Sequence, residues 1–196
     1  MPLAETELEY KDPFTLIVAV ILSAQCTDKR VNLITPPLLK RFPDVFTLAK
    51  AEPSEVFDYI KSCSYPNSKA KHLTEMAKML VSRFGGKVPS DPEQLQELPG
   101  VGRKTANVVA SVVYNKPVMA VDTHVFRVAV RTGLVRNAKT PLQAEIQLTR
   151  NIPKSIIHKA HHWLILHGRY VCKSRKPLCG SCGIKEFCRY FSIEQK

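Results

Sequence analysis

No apolar stretch of this chain of 196 residues is long enough to cross a bilayer. The longest, residues 14–22, is extended only by Ser23 and Ala24, and a membrane helix needs about twenty residues. It is no secretory signal either, because Glu5, Glu7, Glu9 and Asp12 stand before it where positive charge belongs. With both excluded, the sequence reads as a cytoplasmic protein with no membrane partner. Sustained alternation of apolar and polar residues is also missing, which argues against a sheet. Low-complexity tracts and tandem repeats are absent. Acidic residues run short towards the C-terminus. Residues 151–196 hold two Asp/Glu against nine Lys/Arg, residues 59–150 hold six against fourteen, and only residues 1–58 hold an acidic excess, nine against six. The net charge is +12. A basic body behind an acidic start suits a polyanion such as nucleic acid, since each neutralised phosphate releases condensed counterions. A merely basic soluble protein would show the same composition.

What is present is helical punctuation. Hydrophobic residues make up 44% of the chain and charged residues 23%, ordinary for a globular protein of one or two domains. Residues 14–22 read as a buried helix. Asn67 or Ser68 is expected to cap a helix reaching Phe84, with Leu73, Met76, Ala77 and Leu80 at helical spacing and Gly85-Gly86 as its stop. Asp91-Pro92 and Thr140-Pro141 each place a capping side chain before a proline at the first helical position. Asp122 is a natural N-cap for residues 123–132, and a further helix is expected over about 154–170. The expected class is all-α.

Cysteine is concentrated near the end, as Cys172-x6-Cys179-x2-Cys182-x5-Cys188. Four thiolates in one short segment of a cytoplasmic protein point to a metal centre rather than to disulfides. Structural zinc usually takes two separated C-x2-C pairs. Here only the middle pair has that spacing, and one wide loop suits a cubane cluster. Spacing alone leaves both open. Cys26 and Cys63 have no neighbours in sequence and read as small buried apolar residues. Between Cys172 and Cys179 lie Lys173, Arg175 and Lys176, cations that suit a phosphate backbone or simply a solvated face.

Residues 98–105, Leu-Pro-Gly-Val-Gly-Arg-Lys-Thr, join two helices, the second running from Arg103 to about Tyr114. Gly100 and Gly102 allow a tight turn, and their amides with the next helix start can bind a phosphate. A nucleotide P-loop is excluded, because Gly must directly precede Lys-Thr and position 103 is Arg. Lys104 in a first helical turn opposes the helix dipole. The same positive field, with Arg103 beside it, favours the free amine that a nucleophile needs. Gripping a phosphate would explain Lys104 equally well. Asp122 is the second candidate, a carboxylate able to stabilise positive charge on a sugar, or a plain helix cap. His124, His161, His162 and His167 read as packing or hydrogen-bonding residues.

Taken together, residues 21–28, 98–109, 120–128 and 161–170 and the cysteine segment resemble the endonuclease III family, in the family's order and over nearly the whole chain. The resemblance implies a helix–hairpin–helix glycosylase, with a six-helix barrel over residues 7–116 and a second domain from 1–6 and 117–196. That domain would hold a [4Fe–4S] cluster on Cys172, Cys179, Cys182 and Cys188, and the active site would lie between the two. It implies a bifunctional enzyme of base-excision repair, in which the Lys at position 104 attacks C1′ of a flipped, oxidised pyrimidine nucleotide with help from Asp122. Nicking by β-elimination would follow. The partner would be double-stranded DNA with damaged pyrimidines or abasic sites, bound by a monomer in a bacterial cytoplasm, at the nucleoid. Gln25 and Tyr65 would fill the hole left by the flipped nucleotide. Gly100, Val101, Gly102, Arg103, Arg175 and Lys176 would complete the DNA contacts. Related adenine glycosylases lack the lysine and carry a further C-terminal domain, whereas this chain has Lys104 and ends eight residues after Cys188. The chain departs from the family at Ser64-Tyr65-Pro66, where Gly, an apolar residue and Tyr are usual. It also begins without the family's upstream helix. Pro66 is expected to bias Tyr65 towards an extended backbone. Two alternatives stand beside this: a monofunctional glycosylase for a mismatch or a pyrimidine dimer, which Lys104 argues against, and a non-catalytic DNA-binding module, which would not need Asp122.

Overall fold

The structure, a computed structural model, describes residues 5–194. Among these every regular element is helical and no strand occurs, as the missing alternation requires. The chain divides into two compact units, Thr6–Tyr114 and a second made of Glu5 with residues 115–194. The expected membership of residues 1–4 and 195–196 in a second domain lies outside the described residues.

In the first unit, α1 (Pro13–Ser23) is the central helix, and its eight residues Thr15 to Leu22 are all buried. It is apolar all round because it packs against α2 (Asp28–Arg41), α5 (Pro66–Phe84) and α7 (Arg103–Tyr114). Asp12 starts it with a reciprocal capping box to Thr15. α3 (Val45–Ala49) and α4 (Pro53–Ile60) lie against α5 through Val45, Leu48, Val56 and Ile60. α2 continues through Pro36 and Pro37, an interruption that its packing on α1 and α4 tolerates. Asp91 caps α6 (Pro92–Gln96) by accepting the Glu93 amide at 2.7 Å. α5 starts earlier than expected. Pro66 rather than Asn67 or Ser68 opens it, since its ring presets the helical φ and its missing amide would have no helical partner anyway. Gly85, at φ 59, ends it at the expected place.

In the second unit, α8 (Thr123–Thr132), α9 (Pro141–Asn151) and α10 (Ile157–Tyr170) enclose Met119, Val125, Ala129, Ala144, Leu148 and Ile157. Thr140 caps α9 through the Gln143 amide at 3.2 Å. α10 begins at Ile157, not near 154. Residues 154–156 form a turn closed by the Ile156 amide on the Pro153 carbonyl, and no side chain there caps an earlier start. α8 and α10 cross closely at Gly168, where a Cβ would stand 2.9 Å from His124 Cβ. Short 3-10 turns at Cys179–Ser181 and Lys185–Phe187 and α11 (Arg189–Glu194) follow.

Candidate functional site

The hairpin turn is held by the Val101 amide, which donates to the Leu98 carbonyl at 3.0 Å, and by burial of the Val101 side chain. The two glycines have different reasons. Gly100 has φ 78, and a Cβ on it would meet His72 Cβ at 2.8 Å. Gly102 faces open space, so nothing within this fold requires its small size. A group from outside can therefore approach its backbone. Beyond it, Arg103 and Lys104 are exposed in the first turn of α7, whose leading amides have no helical acceptors. Ala106, Val109 and Ala110 anchor the opposite face of that helix in the core.

Gln25 and Tyr65 occupy neighbouring turns of the same unit. Both are exposed and both have left-handed backbones, with φ 54 and φ 55. Tyr65 is therefore not extended. A proline clashes with a right-handed helical residue before it, but here Tyr65 turns the chain directly into α5 at ψ 50, on the opposite side of the map. Such a conformation costs a non-glycine residue roughly 1–3 kcal/mol, which the surroundings must over-determine. The surroundings include two residues that sequence reading missed. The Ser64 hydroxyl donates to the Gln25 carbonyl at 2.6 Å, and the buried Lys69 ammonium donates to the Leu22 and Ala24 carbonyls at 2.7 Å each. Nor are Cys26 and Cys63 isolated. Cys63 is buried, but Cys26 is only partly so. Burial pushes the Cys63 thiol up, the Lys69 ammonium draws it down, and Cys26 raises it again.

Asp122 caps α8 as expected, accepting the Val125 amide at 2.8 Å through Oδ1. It is half-buried. Further along α8 are two arginines that no motif had singled out. Arg127 donates to the carbonyls of Cys172 and Gly168 at 3.1 and 2.9 Å and stands 3.2 Å from His124 Nδ1. Arg131 donates to the Lys173 and Ser174 carbonyls at 2.7 and 3.1 Å, points to the Cys172 sulfur at 3.6 Å, and lies over the Tyr190 ring. The backbone of the cationic loop is thus tied down by α8. Arg175 and Lys176 are exposed on it, and Lys176 has φ 50. Their only local signal was charge, while the arginines that hold the loop act across more than forty residues.

Cys172, Cys179, Cys182 and Cys188 line one cavity, with His167, Ile184 and Tyr190. The Cys179 thiol is pushed up by burial and then by the other three thiols, and the Arg131 guanidinium draws it down. His167 Nε2 lies 3.8 Å from the Cys182 sulfur, and burial pushes His167 below the usual histidine range. His161 is buried edge-on to His162. The histidines pack or hydrogen-bond, as expected. Four soft, convergent ligands fit an iron–sulfur core.

Residues 18–154 match the model of the HhH-GPD superfamily base excision DNA repair protein, and residues 172–188 that of the iron-sulfur binding domain of endonuclease III. The chain is similar to endonuclease III of Rickettsia felis, at 49% identity over 97% of this chain and 89% of that one. It is similar also to endonuclease III of Escherichia coli K12, at 43% over 96% and 89%. Among solved structures, a trapped endonuclease III–DNA covalent intermediate matches with a TM-score of 0.93 and 40% identity, covering 100% of this chain and 92% of that one. A thermostable thymine-DNA glycosylase matches at 0.84 and 25% identity, covering 94% and 87%. Fold and site thus define a helix–hairpin–helix base-excision repair enzyme with an iron–sulfur centre. The chain belongs to the endonuclease III family of DNA glycosylases and abasic-site lyases.

Proposed function

We propose that the enzyme excises oxidised pyrimidines from double-stranded DNA and nicks the resulting site through a Schiff base on Lys104. The observation that carries this reading is the exposed Lys104 amine in the first turn of α7, two residues beyond the open backbone of Gly102. That one relative has been trapped covalently on DNA supports it. In this reading the Gly100 and Gly102 amides, with Val101, Arg103, Arg175 and Lys176, bind the phosphate backbone. Gln25 and Tyr65 fill the space vacated by the flipped nucleotide. Lys104 Nζ attacks C1′, and the base departs with the bonding electrons and takes up a proton. The Asp122 carboxylate stabilises the positive charge that develops at C1′. Opening of the sugar gives the Schiff base. Loss of a C2′ proton then expels the 3′ phosphate, and water releases the lysine. The four cysteines would hold a [4Fe–4S] core, whose positive charge would offset part of the charge of their thiolates. No described helix is long and apolar enough to cross a membrane, and the enzyme is assigned to a bacterial cytoplasm, at the nucleoid, as a monomer.

The test is borohydride trapping on duplexes bearing either an oxidised pyrimidine or an abasic site. The enzyme should form a covalent adduct with each. Lys104→Gln should lose both adducts and keep its affinity for DNA. Trapping of undiminished yield in Lys104→Gln would remove the assignment.

A further inference from the structure

The turn after α1 and the turn before α5 are joined in a way that their separate roles do not require. Three carbonyls close to the end of α1, those of Leu22, Ala24 and Gln25, are all engaged by Ser64, in the turn before α5, and Lys69, early in that helix. Lys69 supplies two of the bonds from a position only 5% exposed. A buried ammonium is costly unless it is well paired. Here it meets the negative end of a helix dipole and carbonyls with no helical donor, the setting in which a cation is most favoured. Ser64 supplies the third bond, at 2.6 Å, and it lands on Gln25 itself. A glycine at position 64 could not make it. The two residues so joined, Gln25 and the neighbour of Ser64, Tyr65, share the left-handed backbone and both point their exposed side chains to solvent. Pro66 fixes the backbone immediately after Tyr65.

We propose that Ser64 and Lys69 are positioning residues that lock Gln25 and Tyr65 into a single two-pronged wedge, set before DNA arrives. This rests on the reading that Gln25 and Tyr65 enter the duplex. A preset wedge spends less of its binding energy on ordering two loops. It also makes the prongs interdependent, because neither turn can shift without pulling the Ser64–Gln25 bond.

The test measures single-turnover excision from a paired lesion against cleavage of a single-stranded abasic site, where nothing needs to be unstacked. Ser64→Ala should lower the paired-to-single-stranded rate ratio roughly five-fold, the equivalent of one net hydrogen bond. Ser64→Thr, which keeps the hydroxyl, should restore it. Gln25→Ala and Tyr65→Ala are then combined in both backgrounds. With Ser64 present, the double variant should be little worse than the poorer single one. With Ser64→Ala the two losses should multiply, since untied prongs act independently. Multiplicative losses in both backgrounds would overturn the lock and leave the wedge standing. Full paired-lesion activity in both Gln25→Ala and Tyr65→Ala would instead remove the wedge. Lys69→Met is the companion variant, and because it can compromise folding, the Ser64 series decides the question.

Discussion

Helix α1 and the C-terminal segment are built on opposite principles. α1 buries eight successive residues and is held by apolar packing on three other helices. From residue 169 to residue 193 no residue is buried at all. That segment has no core of its own. It is tied by arginine-to-carbonyl bonds from α8, and its four thiols line one cavity. One region folds because its side chains leave water, whereas the other is held by a few charged hydrogen bonds beside a cavity lined by four thiols. The cationic loop with Arg175 and Lys176 belongs to the second kind.

The sharpest way to break the comparison is to remove the cofactor. Cys182→Ser should bleach the iron–sulfur chromophore and expose the amides of residues 172–193 to rapid hydrogen exchange, while the amides of α1 stay protected. Equal protection in both regions would show that the segment stands without its cluster. The next effect in size belongs to α1. Ile17→Ala opens a cavity in a fully buried site and should cost about 2–5 kcal/mol in denaturant unfolding, with the chromophore unchanged. Arg131→Met comes third. It removes charged hydrogen bonds to the Lys173 and Ser174 carbonyls and should destabilise the loop by about 1.5–3 kcal/mol, seen as local exchange rather than as a lowered global midpoint.

The smallest effect is one of pH. Burial holds His162 below the usual histidine range, opposed by the Glu5 carboxylate and reinforced by His158. The unfolded chain binds this proton more readily than the folded one. Its contribution is therefore full above the ordinary value of about 6.5 and is lost as pH falls from there towards the depressed folded value. The second unit should weaken on mild acidification, and His162→Gln should flatten that limb. A mutant with an unchanged acid limb would assign the effect to other groups.

Much of the chemistry could be read before any fold was in view. The caps at Asp91, Asp122 and Thr140 each use a donor two or three residues away, and the burial of residues 14–22 follows from their composition. The four cysteines announce a common ligand through proximity in the chain. By contrast, the expectation of an extended Tyr65 used a rule about the next residue and failed because α5 begins at once. Cys26 and Cys63 looked solitary for the same reason, being distant in sequence.

What the sequence by itself determined is therefore whatever acts within a helical turn or a short loop: the all-α class, the caps at Asp91, Asp122 and Thr140, the hairpin that exposes Lys104, and the grouping of four cysteines. Tertiary structure alone decided the rest. The Ser64–Gln25 bond spans 39 residues, Lys69 reaches Leu22 across 47, and Arg131 reaches Lys173 across 42. No periodicity or spacing encodes those pairs. They exist because burying α1 brings the start of α5 against its end, and because α8 lies under the cysteine loop.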